Sequence, residues 1–131
     1  MKVLGLDYGE RYIGIAVGES EIGVATPKAV LENIGKETLR EAIAELIRET
    51  GAERLVVGVP LSFKMEETVA SAKARAFGRW LRREYKMPVD FENEVLTSSH
   101  AERLRPNTPK RTSHAIAASL ILQNWLDRSR M

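Results

Sequence analysis

The spacing of apolar residues at the start of the chain is that of β-strands. Residues 2–9 are almost wholly apolar up to an Asp-Tyr-Gly turn, and residues 11–18 and 21–27 form two further apolar segments after short connections. Apolar segments of this length, separated by tight turns, are typical of antiparallel neighbours. The pattern therefore predicts a three-stranded antiparallel meander that ends near residue 27.

Beyond the meander, the apolar spacing alternates between that of helices and that of strands. In residues 35–53, Leu39, Ile43 and Leu46 recur at helical spacing, and Gly51 supplies a C-terminal stop. The further predicted elements are a buried strand at 54–60, a helix at 66–85, a fifth strand at 87–96, a short helix at 98–104 and a final helix at 113–127. Such strand–helix–strand units predict parallel strands joined by right-handed crossovers.

This order of elements predicts an α/β fold of the ribonuclease H-like type. Its sheet would have five strands, three antiparallel and then two parallel, with helices on its faces. The actin-like sugar kinases begin with the same pattern, but they enclose their nucleotide between two such domains. A chain of 131 residues suffices for one core, so we expect a single domain over residues 1–131.

Composition excludes some chemistry and favours one kind of partner. The chain has no cysteine, which excludes disulfides, thiolate catalysis and Cys-ligated zinc. No apolar run reaches membrane-spanning length, so a cytoplasmic protein without a membrane partner is expected. The net charge is only +2, but basic residues concentrate in residues 73–86 and after residue 100. This asymmetry suits a nucleic-acid backbone, although solvated helix faces would show it too.

Asp7 is a carboxylate in the otherwise apolar first strand. A buried carboxylate is costly unless it is paired or bound to a cation, so Asp7 is a candidate metal ligand. The alternative is that it caps the turn at Gly9. Gly9 and Gly14 would let a phosphate or a metal-bound backbone come close to the sheet.

Glu94 ends the fifth strand, at the edge where α/β sheets form their ligand sites. Glu92 and Glu94 share one strand face, and Asn93 lies on the other. The alternative is that both carboxylates are solvated acids at a strand end.

His114 is the third candidate. If Thr112 or Ser113 caps the last helix, His114 lies in its first turn, where the helix N-terminus favours the neutral imidazole that binds metals. Ala117 and Ala118 share its face and would let the helix approach the sheet closely. The alternative is an ordinary hydrogen-bonded histidine at a helix start.

Four segments of the chain resemble the YqgF (RuvX) family: LDYGERYIGIAVG, VVGVPLS, NEVLTSSHAE and AIAASLILQNWLD. The resemblance spans nearly the whole chain. Its most specific parts are the Asp-x-Gly opening with Arg11 and Gly14 and the closing Ala-Ala-x-x-x-Leu-Gln-Asn pattern. Members of that family are ribonuclease H-like proteins described as Holliday junction resolvases and pre-16S rRNA nucleases.

The resemblance implies a metal site of three acidic positions. This chain has an acidic residue at two of them and a histidine at the third. Asp7 matches the first position. The usual Asp-Glu-Arg after the fifth strand is Asn93-Glu94-Val95 here, so only Glu94 is kept. The third position, usually Asp, is His114, and an imidazole ligand there would shift the preference from Mg²⁺ towards Mn²⁺.

We therefore expect a nuclease that uses Mg²⁺ or Mn²⁺ to hydrolyse phosphodiester bonds in structured nucleic acid, either pre-16S rRNA or a Holliday junction. Asp7 and Glu94 would bind the metal, with His114 as third ligand or as the base that orients water. Symmetric cleavage of a junction would require a homodimer. The expected contacts to nucleic acid are Gly9, Arg11, Lys64, Lys110 and Arg111.

Two alternatives stay open at this point. The departures at Asn93 and His114 are also compatible with a catalytically decayed protein that binds RNA or DNA without cleaving it. A small phosphotransferase is disfavoured, because a second nucleotide-clasping domain is not expected in a chain of this length.

Overall fold

The computed structural model of the protein describes residues 1–95 and 110–129. The side chains of Val95, Lys110 and Arg111 lie outside this description. The elements in chain order are β1 (Lys2–Tyr8), β2 (Tyr12–Glu19), β3 (Val24–Glu32), α1 (Lys36–Thr50), β4 (Ala52–Leu61), α2 (Val69–Tyr85), β5 (Val89–Val95) and α3 (Lys110–Ser129). The predicted short helix at 98–104 lies outside the described residues.

The five strands form one mixed sheet in the order β3-β2-β1-β4-β5. β1 pairs antiparallel with β2, and β2 pairs antiparallel with β3. On its other side β1 runs parallel to β4, and β4 runs parallel to β5. The predicted meander and the two parallel strands are therefore confirmed.

Helices cover both faces of the sheet. On one face, α1 and α2 pack against Leu4 and Leu6 of β1, through residues such as Ile43 and Leu81. On the other face, α3 covers Val3 of β1 and Val56 of β4. Because side chains alternate along a strand, Asp7 lies on the α3 face and Tyr8 on the α1–α2 face. None of the helices in the described ranges is long and apolar enough to cross a membrane.

Glycines on the sheet allow α3 to lie unusually close to it. A Cβ atom added at Gly58 would lie 2.3 Å from the Ile121 side chain, and one added at Gly5 would lie 2.7 Å from Leu122 Cβ. Ala118 on the facing side of α3 is fully buried. The prediction that small residues bring the helix close to the sheet is confirmed, with glycines of the strands contributing as well as alanines of the helix.

Several element boundaries differ from the predicted ones. β3 runs to Glu32, past the Pro27 at which the predicted strand stops. A proline is tolerated on an edge strand, where one side of the backbone needs no partner strand. α2 begins at Val69 because Thr68 is its N-cap and forms a capping box with Ser71.

The last helix begins at Lys110, three residues before the predicted start. The interpretation of Thr112 or Ser113 as its cap is therefore wrong. His114 is the fifth helical residue and lies beyond the first turn. This changes the electrostatic argument about its ring.

Candidate active site

Asp7 and His114 form a hydrogen-bonded pair between the sheet and α3. His114 Nδ1 lies 2.9 Å from Asp7 Oδ2. The two side chains are only 28% and 25% exposed, respectively. Asp7 is the last but one residue of β1, so the pair lies at the edge where the parallel strands end. The sequence-based proposal that Asp7 and His114 belong to one site thus has direct geometric support.

Two glycines allow His114 to lie close against this edge. A Cβ atom at Gly14 would lie 1.9 Å from the His114 carbonyl oxygen, and one at Gly9 would lie 2.8 Å from His114 Cε1. The space beside both α-carbons is therefore occupied by His114 of α3. The expectation that Gly14 admits a ligand is replaced by a packing role, and a nucleic-acid contact at Gly9 stays a prediction.

The pKa of His114 is shifted in the direction opposite to the one expected from a helix start. The hydrogen bond to Asp7, together with the charge of that carboxylate, raises the pKa of His114 above its ordinary value, and partial burial only opposes this. Because His114 lies beyond the first turn of α3, the helix N-terminus acts on it more weakly than predicted. The ring therefore favours a proton more than a free imidazole does.

Glu94 lies on the same face of the sheet, at the corresponding edge. It is the last but one residue of β5 and pairs with Pro60 of β4. Burial raises the pKa of Glu94 to about 7, with smaller contributions from the charges of Asp7 and Glu92. This electrostatic coupling indicates that Glu94 faces the Asp7–His114 pair.

The other residues of β5 confirm which face Glu94 occupies. Trp125 Nε1 of α3 donates a hydrogen bond to Asp90 at 3.0 Å, and Arg128 of α3 forms an ion pair with the buried Glu92. Asn93 is exposed, consistent with the opposite face. The predicted alternation along β5 is confirmed.

Sequence reasoning missed the contribution of Arg128. It forms an ion pair with Glu92 and so partly offsets the charge that Glu92 presents to Glu94. A signal for it exists in the sequence: Arg128 follows His114 by 14 residues, almost a whole number of helical turns, and so lies on the same helix face.

The donor set fits a hard divalent cation. Among residues 1–95 and 110–129, no three His, Asp or Glu side chains lie close enough together to form a ready metal cluster. However, the Glu94 carboxylate makes no hydrogen bond or ion pair within those residues, and its ionised form is disfavoured first by burial and then by the charges of Asp7 and Glu92. A divalent cation would relieve that repulsion, and carboxylate oxygen is the ligand that Mg²⁺ and Mn²⁺ prefer.

The structure describes the side chains of only two of the four basic residues predicted to contact nucleic acid. Arg11 is exposed in the connection that follows β1, with its guanidinium 5.9 Å from the centre of the Tyr12 ring. Lys64 is exposed in the connection after β4, 6.0 Å from the Phe63 ring. The backbones of Lys110 and Arg111 begin α3, but their side chains lie outside the described part of the chain. Contact of these residues with nucleic acid stays a prediction.

Comparison with known proteins adds a family and a fold. A family model described as "RuvX: Holliday junction resolvase" matches residues 1–128. A "Putative pre-16S rRNA nuclease" of Hydrogenovibrio crunogenus is 35% identical over 125 residues, which cover 95% of this chain and 92% of that protein. A protein of the same name from Chloroflexus aggregans is 36% identical over 134 residues, covering 98% and 94%.

Solved structures share the fold at low sequence identity. The RuvC structure of Thermus thermophilus superposes with a TM-score of 0.58 at 15% identity, covering 99% of this chain and 96% of that one. The Holliday junction resolvase of fowlpox virus gives a TM-score of 0.56 at 10% identity, with 100% of both chains covered. These similarities confirm the ribonuclease H-like fold.

Proposed function

The chain belongs to the RuvX family, and from this membership and the geometry at the sheet edge we propose that it is a metal-dependent nuclease that hydrolyses phosphodiester bonds in structured nucleic acid. The Asp7–His114 pair beside Glu94 is the observation that carries this proposal. Relatives named as pre-16S rRNA nucleases make an rRNA precursor the leading substrate, with a Holliday junction as the second.

Asp7 would act on His114 as well as on the cation. Its Oδ2 atom engages Nδ1 of the imidazole, which leaves Nε2 as the nitrogen that can accept a proton. In its neutral form, with Nδ1–H donated to Asp7, the ring would act as a general base, and the hydrogen bond that raises its pKa strengthens it as a proton acceptor. His114 would therefore take a proton from the attacking water at Nε2, while Asp7 holds the ring in place.

Glu94 and the second oxygen of Asp7 are the groups that would hold the divalent cation. When bound, such a cation stabilises negative charge at the phosphodiester. Their shared position at the carboxyl edge of β1 and β5 lets both carboxylates face one phosphate. Glycines around His114 keep the α3 backbone fixed against this edge.

One observation favours the second candidate, a protein that binds nucleic acid without cleaving it. His114, hydrogen-bonded to Asp7, stands where the family has a third carboxylate, and a protonated ring there would carry a positive charge. If that charge substitutes for the cation, the fold and the nucleic-acid surface would persist while hydrolysis is lost.

Cleavage assays on matched variants test the proposal. Purified protein is incubated with an rRNA precursor fragment or a four-way DNA junction, each with Mg²⁺ or Mn²⁺. Loss of a residue that moves a proton or holds the cation should lower the rate at least about 100-fold in Asp7→Asn and His114→Ala. Asp127→Asn, on the exposed end of the same helix, is the control and should cleave normally.

The same assay separates the two candidates. Absence of cleavage by the unaltered protein with either metal, combined with retained nucleic-acid binding, would establish the non-cleaving protein instead. His114→Asp restores the family's third carboxylate, so a gain of Mg²⁺-dependent cleavage in that variant would identify His114 as the cause of the loss. A dimeric solution mass would favour the junction over the rRNA precursor.

A further inference from the structure

A second concave surface lies on the opposite face of the sheet from the Asp7–His114 pair. A cavity of about 280 Å³ opens between α1 and α2, above Tyr8 of β1. This volume is near the lower end of the range for small organic ligands, roughly 300 Å³. It suits one planar ring system and is too small for a duplex.

Aromatic side chains form the floor of this cavity. The rings of Phe77 and Trp80 are stacked, with their centroids 5.9 Å apart and their planes at 20°. The Tyr8 ring lies 4.8 Å from that of Phe77. Phe77 and Trp80 are largely buried, and the half-buried Tyr8 completes the aromatic floor that a planar base entering the cavity would meet.

Cations surround the opening. Lys36, Lys73 and Arg83 line the cavity and are exposed, and its lining contains no acidic residue among the described ones. Lys73 is paired with Glu10, whereas Lys36 and Arg83 have no ion pair within the described residues. An aromatic floor with cations at the rim matches a nucleotide, with its base inside and its phosphates outside.

A second cavity continues this one towards the carboxyl end of β1. It measures about 390 Å³ and shares Tyr8 and Lys73 with the first. It is also lined by Gly9, whose added Cβ would lie 2.8 Å from the His114 ring. The two cavities therefore form a groove on the α1–α2 face that runs from Trp80 over Tyr8 to Gly9 and the acidic Glu10, just beyond the end of β1 that carries Asp7.

We propose that this groove holds an unpaired segment of the substrate strand and that the aromatic cavity takes one of its nucleobases. The phosphates of that segment would lie along Lys36, Lys73 and Arg83. The inference rests on the proposed function and specifies its substrate class: the cleaved bond adjoins a single-stranded region. A fully paired substrate could not fill the aromatic cavity.

Tryptophan fluorescence tests the base-stacking part of the proposal. The chain has two tryptophans, so Trp125→Phe leaves Trp80 as the reporter. A single-stranded oligonucleotide of about 12 nucleotides should quench Trp80, and a duplex of the same length should not. The Trp80→Phe protein, which keeps Trp125 on the other face of the sheet, should show no quenching, and quenching in it would mean that the signal does not come from the cavity.

Charge reversal tests the phosphate part with a matched control. Lys36→Glu combined with Arg83→Glu should weaken binding of the same oligonucleotide at least about tenfold at low salt. The control combines Lys2→Glu with Arg48→Glu, which changes the net charge equally at exposed positions away from the cavity. Affinity of the control should stay within about threefold of the unaltered protein.

Several results would overturn the proposal. Equal losses in the two double variants would indicate general attraction without a groove. Equal quenching by the duplex, or binding of uridine monophosphate as tight as that of the oligonucleotide, would show that the cavity does not select an unpaired strand. These measurements do not require cleavage, so a protein that quenches as described but never cleaves would contradict only the proposed function.

Discussion

Gly14 illustrates how one residue fixes the position of the candidate site. Its α-carbon lies beneath the backbone of His114, and an added Cβ would lie 1.9 Å from a carbonyl oxygen that cannot move independently of α3. We expect Gly14→Ala to lower the free energy of unfolding by about 3 kcal/mol, because overpacking against backbone forces the helix off the sheet. Equilibrium unfolding in urea measures this change.

Gly51→Ala is the control for Gly14→Ala. Gly51 ends α1 with φ = 72° and has open space around its α-carbon. Its substitution should cost only about 1 kcal/mol, from backbone conformation alone. Equal losses at the two positions would show that α3 can shift without cost, and would weaken the argument that His114 is held rigidly.

At the scale of elements, the start of α2 is tied to the sheet edge beside Glu94. The Thr68 side chain accepts a hydrogen bond from Ser71 N at 3.1 Å and itself reaches the carbonyl of Pro60, the residue that pairs with Glu94. Thr68→Ala should lower the free energy of unfolding by about 1 kcal/mol, the usual contribution of an N-cap. Thermal unfolding measures it.

Thr26→Ala provides the comparison for the cap. Thr26 is exposed on the edge strand β3, and its hydroxyl makes a long hydrogen bond of 3.4 Å to Val17 O. Its loss should change the free energy of unfolding by less than about 0.5 kcal/mol. A cost at Thr68 no greater than at Thr26 would mean that the capping box does not stabilise α2.

Tyr85 joins α2 to α1 and makes their association sensitive to alkaline pH. Its hydroxyl donates a hydrogen bond to Arg40 O at 2.8 Å, and burial, with the charge of Glu84, raises the pKa of Tyr85 to about 12. The folded chain thus holds this proton more tightly than the unfolded chain, whose tyrosine pKa is about 10. The stabilisation is complete below about pH 10 and is lost as the pH rises towards 12.

Tyr85→Phe should therefore remove one component of alkaline destabilisation. Urea unfolding between pH 9 and about pH 12 should show a smaller decrease in stability for this variant than for the unaltered protein. Tyr12→Phe retains Tyr85 and should follow the unaltered protein. If both tyrosine variants lose stability with the same pH dependence, the Tyr85–Arg40 link does not carry this effect.

The sequence predicted the elements well where apolar spacing defines them. All five strands and the three helices of the described chain were expected, as was the shared strand face of Glu92 and Glu94. Boundaries were missed where a local signal misled: Pro27 suggested a strand end, although an edge strand tolerates it. The start of α3 was missed because Thr112 and Ser113 resemble cap residues while lying inside the helix.

The sequence could predict which residues form the candidate site, but not how their pKa values are shifted. Which residues share a face follows from strand and helix periodicity. The raised pKa of His114, however, depends on a 2.9 Å contact between residues 107 positions apart, which no local pattern contains. The groove past Trp80 was missed for a similar reason, since it is a gap between two helices whose separation is a tertiary property.

On the scale of the whole molecule, protection from solvent should decrease from the centre of the sheet to its β3 edge. β1 and β4 are central and covered by helices on both faces, and the residues from Leu55 to Val57 are fully buried. β3 is an edge strand with mostly exposed residues. Native-state hydrogen exchange should therefore be slowest in β1 and β4 and fastest in β3.

Mass spectrometry of exchanged peptides checks this order. Peptides from α3 serve as the internal reference, since Ala118, Ile121 and Leu122 are buried against the sheet. Exchange of α3 at the rate of β3 would contradict the close packing that the glycines allow. It would also imply that His114 spends time away from Asp7.

The Asp7–His114 contact joins the beginning of the chain to its last described helix. During synthesis, β1 leaves the ribosome early and α3 late, so the nascent chain can form its α1–α2 face well before His114 exists. Until α3 docks, Val3 and Val56 form part of an uncovered apolar surface. A chain that lacks α3 would therefore lack His114 and would leave the apolar surface around Val3 and Val56 uncovered.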